Sequence, residues 1–256
     1  LIPTIEEISS KLANKSVYTV LDLKDGFYHF ELDEESSKLC TFNTPFGCYR
    51  FLRLPFGISC APEIFQKLNE QNFGDIEGVV LYIDDLLIAA ENEKQHDEIL
   101  QKVLNRARTL NIKFNPNKVQ YKVTEVKYLG HVFCKEGIKP DPQQVKAVMN
   151  IEEPKSKKEL QRILGMINYL HKYIPNMSEI TAPVRELLKT SVQWQWLPVH
   201  STVLDKLKYL VSRAPTLATY DTSKKLTIQA DASKSGLGTC LLQDDQPVAY
   251  ASRSLT

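Results

Sequence analysis

An α+β fold, an antiparallel sheet with helices on one face, is predicted by three features of this 256-residue chain. Short apolar runs rich in β-branched residues alternate with polar turns over the first third. Two stretches of helical periodicity interrupt them. After Gly137 the pattern becomes mainly helical, before two strand-like runs near the end. At 43% hydrophobic and 25% charged, the chain has apolar material for more than one core.

Each element has its own signal. Val17-Tyr18-Thr19-Val20-Leu21 reads as a buried strand that Asp22 ends, and Leu23-Lys24-Asp25-Gly26 as a turn in which Gly26 supplies unusual dihedrals. Thr44-Pro45-Phe46-Gly47 reads as a second turn. Pro62 suits the first turn of a helix reaching about Asn72, with Ile64, Phe65 and Leu68 inward. Val79–Ile83 and Leu86–Ala90 form a hairpin with Asp84 and Asp85 as its two-residue tip. From Lys94 to Leu110 the apolar residues Ile99, Leu100, Val103, Leu104 and Ala107 recur at helical spacing. Asp141-Pro142 opens a helix striped by Val145, Val148 and Met149. Ser156-Lys157-Lys158-Glu159 has capping-box spacing and opens another, striped by Leu160, Ile163, Leu164, Ile167 and Leu170. Trp194 and Trp196, alternating with glutamine, suit a half-buried extended segment. Leu226–Asp231 is a strand ending in aspartate, a second runs through Leu242, and Gly236-x-Gly238 between them reads as a hairpin turn.

The acids inside the apolar hairpin carry the chemistry. Tight hairpins favour Asn-Gly or Asp-Gly, because a type I′ turn needs φ > 0 twice. Asp84-Asp85 offers no glycine and sets two like charges side by side. A solvated turn is the plain alternative, as a strand-end cap is for Asp22. One acid closing a strand and two at a hairpin tip can instead converge, and three carboxylates suit a hard cation, Mg²⁺ or Mn²⁺. Two such ions about 3.5–4 Å apart clamp the attacking and leaving oxygens of an in-line phosphoryl displacement.

Charge is divided along the chain. Residues 1–90 hold 7 Lys+Arg against 14 Asp+Glu, and residues 91–256 hold 25 against 17. An acidic part that draws cations and a basic part that follows phosphates fit this division, as do ordinary lysine-rich helices. Cys40, Cys48, Cys60, Cys134 and Cys240 show neither CxxC nor zinc-like spacing, and an odd, scattered set fits a reducing compartment. No apolar stretch approaches a membrane span.

Four motifs occur in order: Asp22-Leu23-Lys24-Asp25-Gly26-Phe27, Leu54-Pro55-Phe56-Gly57-Ile58, Tyr82-Ile83-Asp84-Asp85 and Tyr128-Leu129-Gly130-His131. Together they resemble the reverse transcriptases of gypsy-type LTR retrotransposons and, more distantly, of retroviruses. The resemblance implies a right-hand polymerase: partial fingers and palm over 1–136, a helical thumb over 137–190, a connection over 191–222, and the start of a ribonuclease H-like domain over 223–256. It implies an RNA-directed DNA polymerase that adds dNTPs to a primer on an RNA or DNA template. Two Mg²⁺ or Mn²⁺ ions would be held by Asp22, the Leu23 carbonyl, Asp84 and Asp85. Lys118 is similar to a lysine that protonates the leaving pyrophosphate. Phe27 stands at the steric gate against a ribose 2′-OH, with Phe56 and Gly57 beside the nucleotide. Leu129, Gly130 and His131 fall in the primer grip. Lys155, Lys157, Lys158 and Arg162 lie on the thumb, within reach of duplex phosphates. Asp231 matches the first ribonuclease H metal ligand, and the other acids of that domain would lie beyond Thr256. With Leu1 in place of a start methionine, the resemblance implies a piece of a polyprotein that also carries protease and integrase. Its setting would be intracellular, in a cytoplasmic virus-like particle, with the nucleus a further compartment. The competing reading is a catalytically inactive or domesticated remnant that binds nucleic acid or a protein partner, against which the three retained acids argue.

Overall fold

A computed structural model describes residues 2–234 and 236–255, arranged as two units, 1–126 and 127–256. The first unit opens with helix α1 (Ile5–Lys11), closed by a capping box: the Thr4 hydroxyl accepts the Glu7 N–H, and the Glu7 carboxylate accepts that of Thr4. Strand β1 (Val17–Asp22) leads to a 3₁₀ turn at Gly26–His29, helix α2 (Glu34–Leu39) and the hairpin of β2 (Thr41–Thr44) and β3 (Gly47–Arg50). Thr44 pairs with Gly47, so Pro45-Phe46 make the predicted turn. Helix α3 (Ala61–Phe73) precedes β4 (Val79–Tyr82), β5 (Asp85–Ala90), helix α4 (Glu93–Thr109) and β6 (Gln120–Val123).

The sheet runs β4-β5-β1-β6, every neighbouring pair antiparallel. Leu21, Leu81, Leu86, Ile88 and Ala90 share a core with Phe65 and Phe73 of α3 and Ile99, Val103 and Ala107 of α4. Leu87 and Ala89 of β5 point the opposite way and are also buried, which is why that run is unbroken rather than alternating. The inward face of α3 differs from the prediction: Ile64 is exposed and Leu68 half-buried, whereas Gln66 and Asn69 are buried with Phe65. Those amides have backbone partners on the β4–β5 turn, which makes their burial affordable.

The chain enters the second unit within β7 (Glu125–Tyr128), which forms a three-stranded sheet with β8 (His131–Cys134) and β9 (Gly137–Pro140). Helix α5 (Pro142–Met149) is capped by Asp141, whose carboxylate accepts the Gln143 N–H; Met149 is exposed, so its stripe reduces to Val145 and Val148. Helix α6 (Lys157–Asn168) buries Leu160, Ile163, Leu164 and Ile167 as the spacing predicts. Its capping box is shifted: Ser156 accepts the Glu159 N–H, but the Glu159 carboxylate takes the N–H of Lys155. A 3₁₀ turn at His171–Tyr173 leads to helices α7 (Met177–Glu186) and α8 (Pro198–Ser212), which pack together. Trp194 and Trp196 lie half-buried in an irregular segment, rings stacked at 6.0 Å, as packing residues.

Strands β10 (Thr227–Ala232), β11 (Gly236–Gln243) and β12 (Gln246–Ser254) form the final antiparallel sheet. Asp231 pairs with Gly238, one residue before the end of β10. Gly236 and Gly238 are therefore strand residues of β11, not the turn. A Cβ on Gly238 would lie 2.0 Å from Asn176 Oδ1, so the glycine is there for close approach.

Candidate active site

Backbone pairing brings the three acids together. In the β1–β5 register Asp22 stands opposite Asp85, and the Leu23 N–H donates to the Asp84 carbonyl at 2.8 Å. Tyr82 pairs with Asp85, so the two-residue tip is Ile83-Asp84, one position earlier than the sequence suggests. Asp85 is the first residue of β5. Ile83 has φ +50, a left-handed conformation that is costly for a β-branched residue.

Two buried amides of α3 hold that turn. Gln66 accepts the Ile83 N–H at 2.7 Å and donates to the Leu81 carbonyl at 3.1 Å, while Asn69 donates to the Ile83 carbonyl at 3.0 Å. Sequence reading missed both, because Gln and Asn on an amphipathic helix look like solvent-facing residues. Gly26 fits against the same feature: a Cβ there would sit 2.7 Å from both Asp84 Oδ1 and Phe65 Cζ. The left-handed residue of its turn is Asp25, with φ +52, so Gly26 provides space rather than unusual dihedrals.

The electrostatics are those of a site short of positive charge. Burial and then the charge of Asp22 raise the Asp84 pKa, with Lys118 opposing. Burial, Asp22 and Asp84 push Asp85 up to about 6. The Lys118 ammonium donates to Asp22 Oδ2 at 2.9 Å, an ion pair that raises the lysine pKa. Among the described residues, no three His, Cys, Asp or Glu side chains stand gathered closely enough to hold an ion; Asp22 is engaged by Lys118 instead. The donor chemistry of the three residues, all carboxylate oxygen, is nevertheless of the type that hard divalent cations take.

Beside the acids lies an aromatic cluster. Phe27 is buried, edge-on to Phe65 at 5.0 Å and tilted against Phe56 at 5.0 Å, and Phe56 also meets Tyr28 at 5.5 Å. Phe56 is exposed, and Gly57 has φ +93 in open space.

The remaining predicted residues belong to the second unit. Leu129 and Gly130 form the β7–β8 turn, and His131 opens β8, buried between the rings of Tyr169 and Tyr173. Lys155, Lys158 and Arg162 are exposed, whereas the Lys157 ammonium donates to the carbonyls of Lys189 and Val192 at 2.5 and 2.7 Å. Asp231 is exposed, its Oδ1 accepting the neighbouring Ala232 N–H.

Residues 2–133 match the family described as reverse transcriptase (RNA-dependent DNA polymerase). The chain belongs to the reverse transcriptase family. Residues 196–256 match a second description, the RNase H-like domain found in reverse transcriptase, beginning within the segment read as a connection. The Tf2-3 and Tf2-4 transposon polyproteins of Schizosaccharomyces pombe are each 32% identical over 262 aligned residues that include the whole chain. The gypsy-type retrotransposon resemblance of the four motifs accordingly holds. The chain spans about a fifth of the length of these relatives, 20% of each. Foamy viral protease-reverse transcriptase in complex with an RNA/DNA hybrid superposes on the full chain with TM-score 0.90 at 25% identity, covering 36% of that structure. A second foamy viral structure, in complex with double-stranded DNA, matches 97% of the chain with TM-score 0.89 at 26% identity, covering 45% of its own length. The palm fold and the ribonuclease H-like start are thereby established. No helix among the described residues is long and apolar enough to cross a membrane.

Proposed function

We propose that this chain carries the polymerase centre of an RNA-directed DNA polymerase that extends a primer with dNTPs on an RNA or DNA template. The observation that carries this reading is the placement of Asp22 opposite Asp85, with Asp84 on the adjoining turn, in a reverse transcriptase fold. Asp22, Asp84, Asp85 and the Leu23 carbonyl would hold two Mg²⁺ or Mn²⁺ ions. When bound, these supply charge stabilisation for an in-line phosphoryl displacement. Residues of the chain itself do the rest. Lys118 protonates the departing pyrophosphate, and Phe27, backed by Phe65, presents the ring that a ribose 2′-OH would strike. Phe56 and Gly57 border the nucleotide.

The foamy viral relatives were solved with an RNA/DNA hybrid and with double-stranded DNA, which supports a nucleic-acid duplex as the partner. We assign residues 1–136 to partial fingers and palm, 137–190 to the thumb, 191–222 to the connection and 223–256 to a ribonuclease H-like start in which Asp231 is a metal ligand. Leu129, Gly130 and His131 act as the primer grip, and Lys155, Lys158 and Arg162 meet duplex phosphates. The transposon polyprotein relatives support a polyprotein context; in that context we place a protease and an integrase on the same polyprotein, and the setting in a cytoplasmic virus-like particle and the nucleus. Asp22→Asn and Asp84→Asn, each made in the natural protein that carries this chain, abolish Mg²⁺-dependent primer extension while circular dichroism stays unchanged. Extension retained by both variants would overturn the assignment.

A further inference from the structure

The β7–β8 turn is held in an unfavourable conformation by a side chain from α6. Its two residues, Leu129 and Gly130, have φ +49 and +70. A two-residue turn with both φ positive favours Asn-Gly, and leucine is a poor occupant of the first position. Tyr169, the C-cap residue of α6, donates its hydroxyl to the Leu129 carbonyl at 2.6 Å. The same hydroxyl explains the glycine: a Cβ on Gly130 would lie 2.5 Å from Tyr169 Oη. The Tyr169 ring stacks on His131 at 5.4 Å, with 9° between the planes. His131 Nδ1 pairs at 2.8 Å with the hydroxyl of buried Tyr173, only four residues beyond Tyr169. Burial holds His131 far below its usual pKa, so the ring is neutral.

We infer that Tyr169 is a positioning residue for primer extension, fixing the Leu129-Gly130 turn so that turn and helix α6 move as one body. This rests on the reading of residues 128–131 as the primer grip. The tyrosine does not touch the reacting atoms; it sets the place of the turn that would press on the primer's 3′ end. Nucleotide insertion depends steeply on such placement, because small misplacements of reacting groups cost large factors in rate.

Tyr169→Phe removes the hydroxyl and keeps the ring on His131. In the natural protein carrying this chain, amide hydrogen exchange at residues 129–131 is compared with single-turnover insertion on a pre-annealed primer–template. Expected are faster exchange in the turn, an insertion rate lower by about tenfold, and unchanged duplex affinity and melting temperature. Tyr169→Leu, which also removes the stacking, should lower the rate further. Unchanged exchange in Tyr169→Phe overturns the clamp and leaves the polymerase and primer-grip readings standing. A loosened turn with undiminished insertion overturns both the positioning role and the primer-grip reading. Loss of duplex affinity in step with a falling melting temperature overturns positioning in favour of plain structural support. Tyr173→Phe, with Tyr169 intact, should leave exchange at Leu129 and Gly130 unchanged; acceleration there would assign the clamp to His131 instead.

Discussion

Burial and the charges of Asp22 and Asp84 raise Asp85 to about 6, so the folded chain binds that proton more tightly than an unfolded chain, whose aspartates titrate near 4. The contribution to stability is then full below about pH 4 and is lost as pH rises through about 6. Asp85→Asn should therefore be more stable than the parent at pH 7.5 in EDTA, with the advantage gone at pH 4. Urea midpoints at the two pH values measure this, and an advantage that grows at low pH would refute the sign. Added Mg²⁺ should narrow the gap at pH 7.5 by stabilising the parent alone. These acids were legible in the sequence because two charges inside an apolar run have no packing reason to be there. Gln66 and Asn69 were not, since nothing in a helix's own pattern separates a polar residue facing water from one facing an orphan carbonyl. Gly26 was noticed for its dihedral freedom, whereas the structure uses its missing side chain.

At the scale of elements, helices α3 to α6 and the strands flanking the acids followed from periodicity, and the errors in them gathered at turns. The β4–β5 hairpin was placed correctly but its tip was one residue late. Local signals disfavour isoleucine at positive φ, and the amides of α3 help that tip to hold. Helices α1 and α2, each of one to two turns, escaped notice, although Thr4-Ile5-Glu6-Glu7 has capping-box spacing, and so did the longer α7 and α8. The α3 clamp makes an unequal pair of predictions. Gln66→Leu strands the Ile83 N–H and the Leu81 carbonyl in a buried setting, at a cost of about 1–3 kcal/mol for each orphaned group. Asn69→Leu strands one carbonyl but also removes Asn69 Oδ1, a buried oxygen that has no hydrogen-bond partner among the described residues. Gln66→Leu should be the more destabilising of the two in urea denaturation, and should weaken Mn²⁺ binding by loosening the turn that bears Asp84. Equal destabilisation would mean that the Gln66 bonds carry no special weight.

For the whole molecule, charge separates the units: residues 127–256 hold 18 Lys+Arg against 12 Asp+Glu, while residues 1–126 hold 14 against 19. A duplex should therefore lie along the basic unit, with an affinity that falls as salt displaces it. Composition suggested a division of charge, drawn at residue 90 rather than 126, but could not say which lysines are available, because an ammonium used inside the fold has the same sequence as one in solvent. Lys157 is the instructive case, since its two carbonyl partners tie the start of α6 to the segment after α7. Lys158, its neighbour, is exposed and uncommitted to any backbone carbonyl among the described hydrogen bonds. Replacing each by glutamine should have opposite signatures. Lys158→Gln lowers the slope of log affinity against log salt by about 1 and leaves stability within about 0.5 kcal/mol. Lys157→Gln leaves that slope unchanged and costs about 1–3 kcal/mol, the loss of charge-assisted hydrogen bonds. Fluorescence anisotropy of a labelled duplex across a salt series, beside urea denaturation of the same variants, separates the two. A salt slope that falls equally in both variants would show that Lys157 leaves its carbonyls for phosphate when nucleic acid binds.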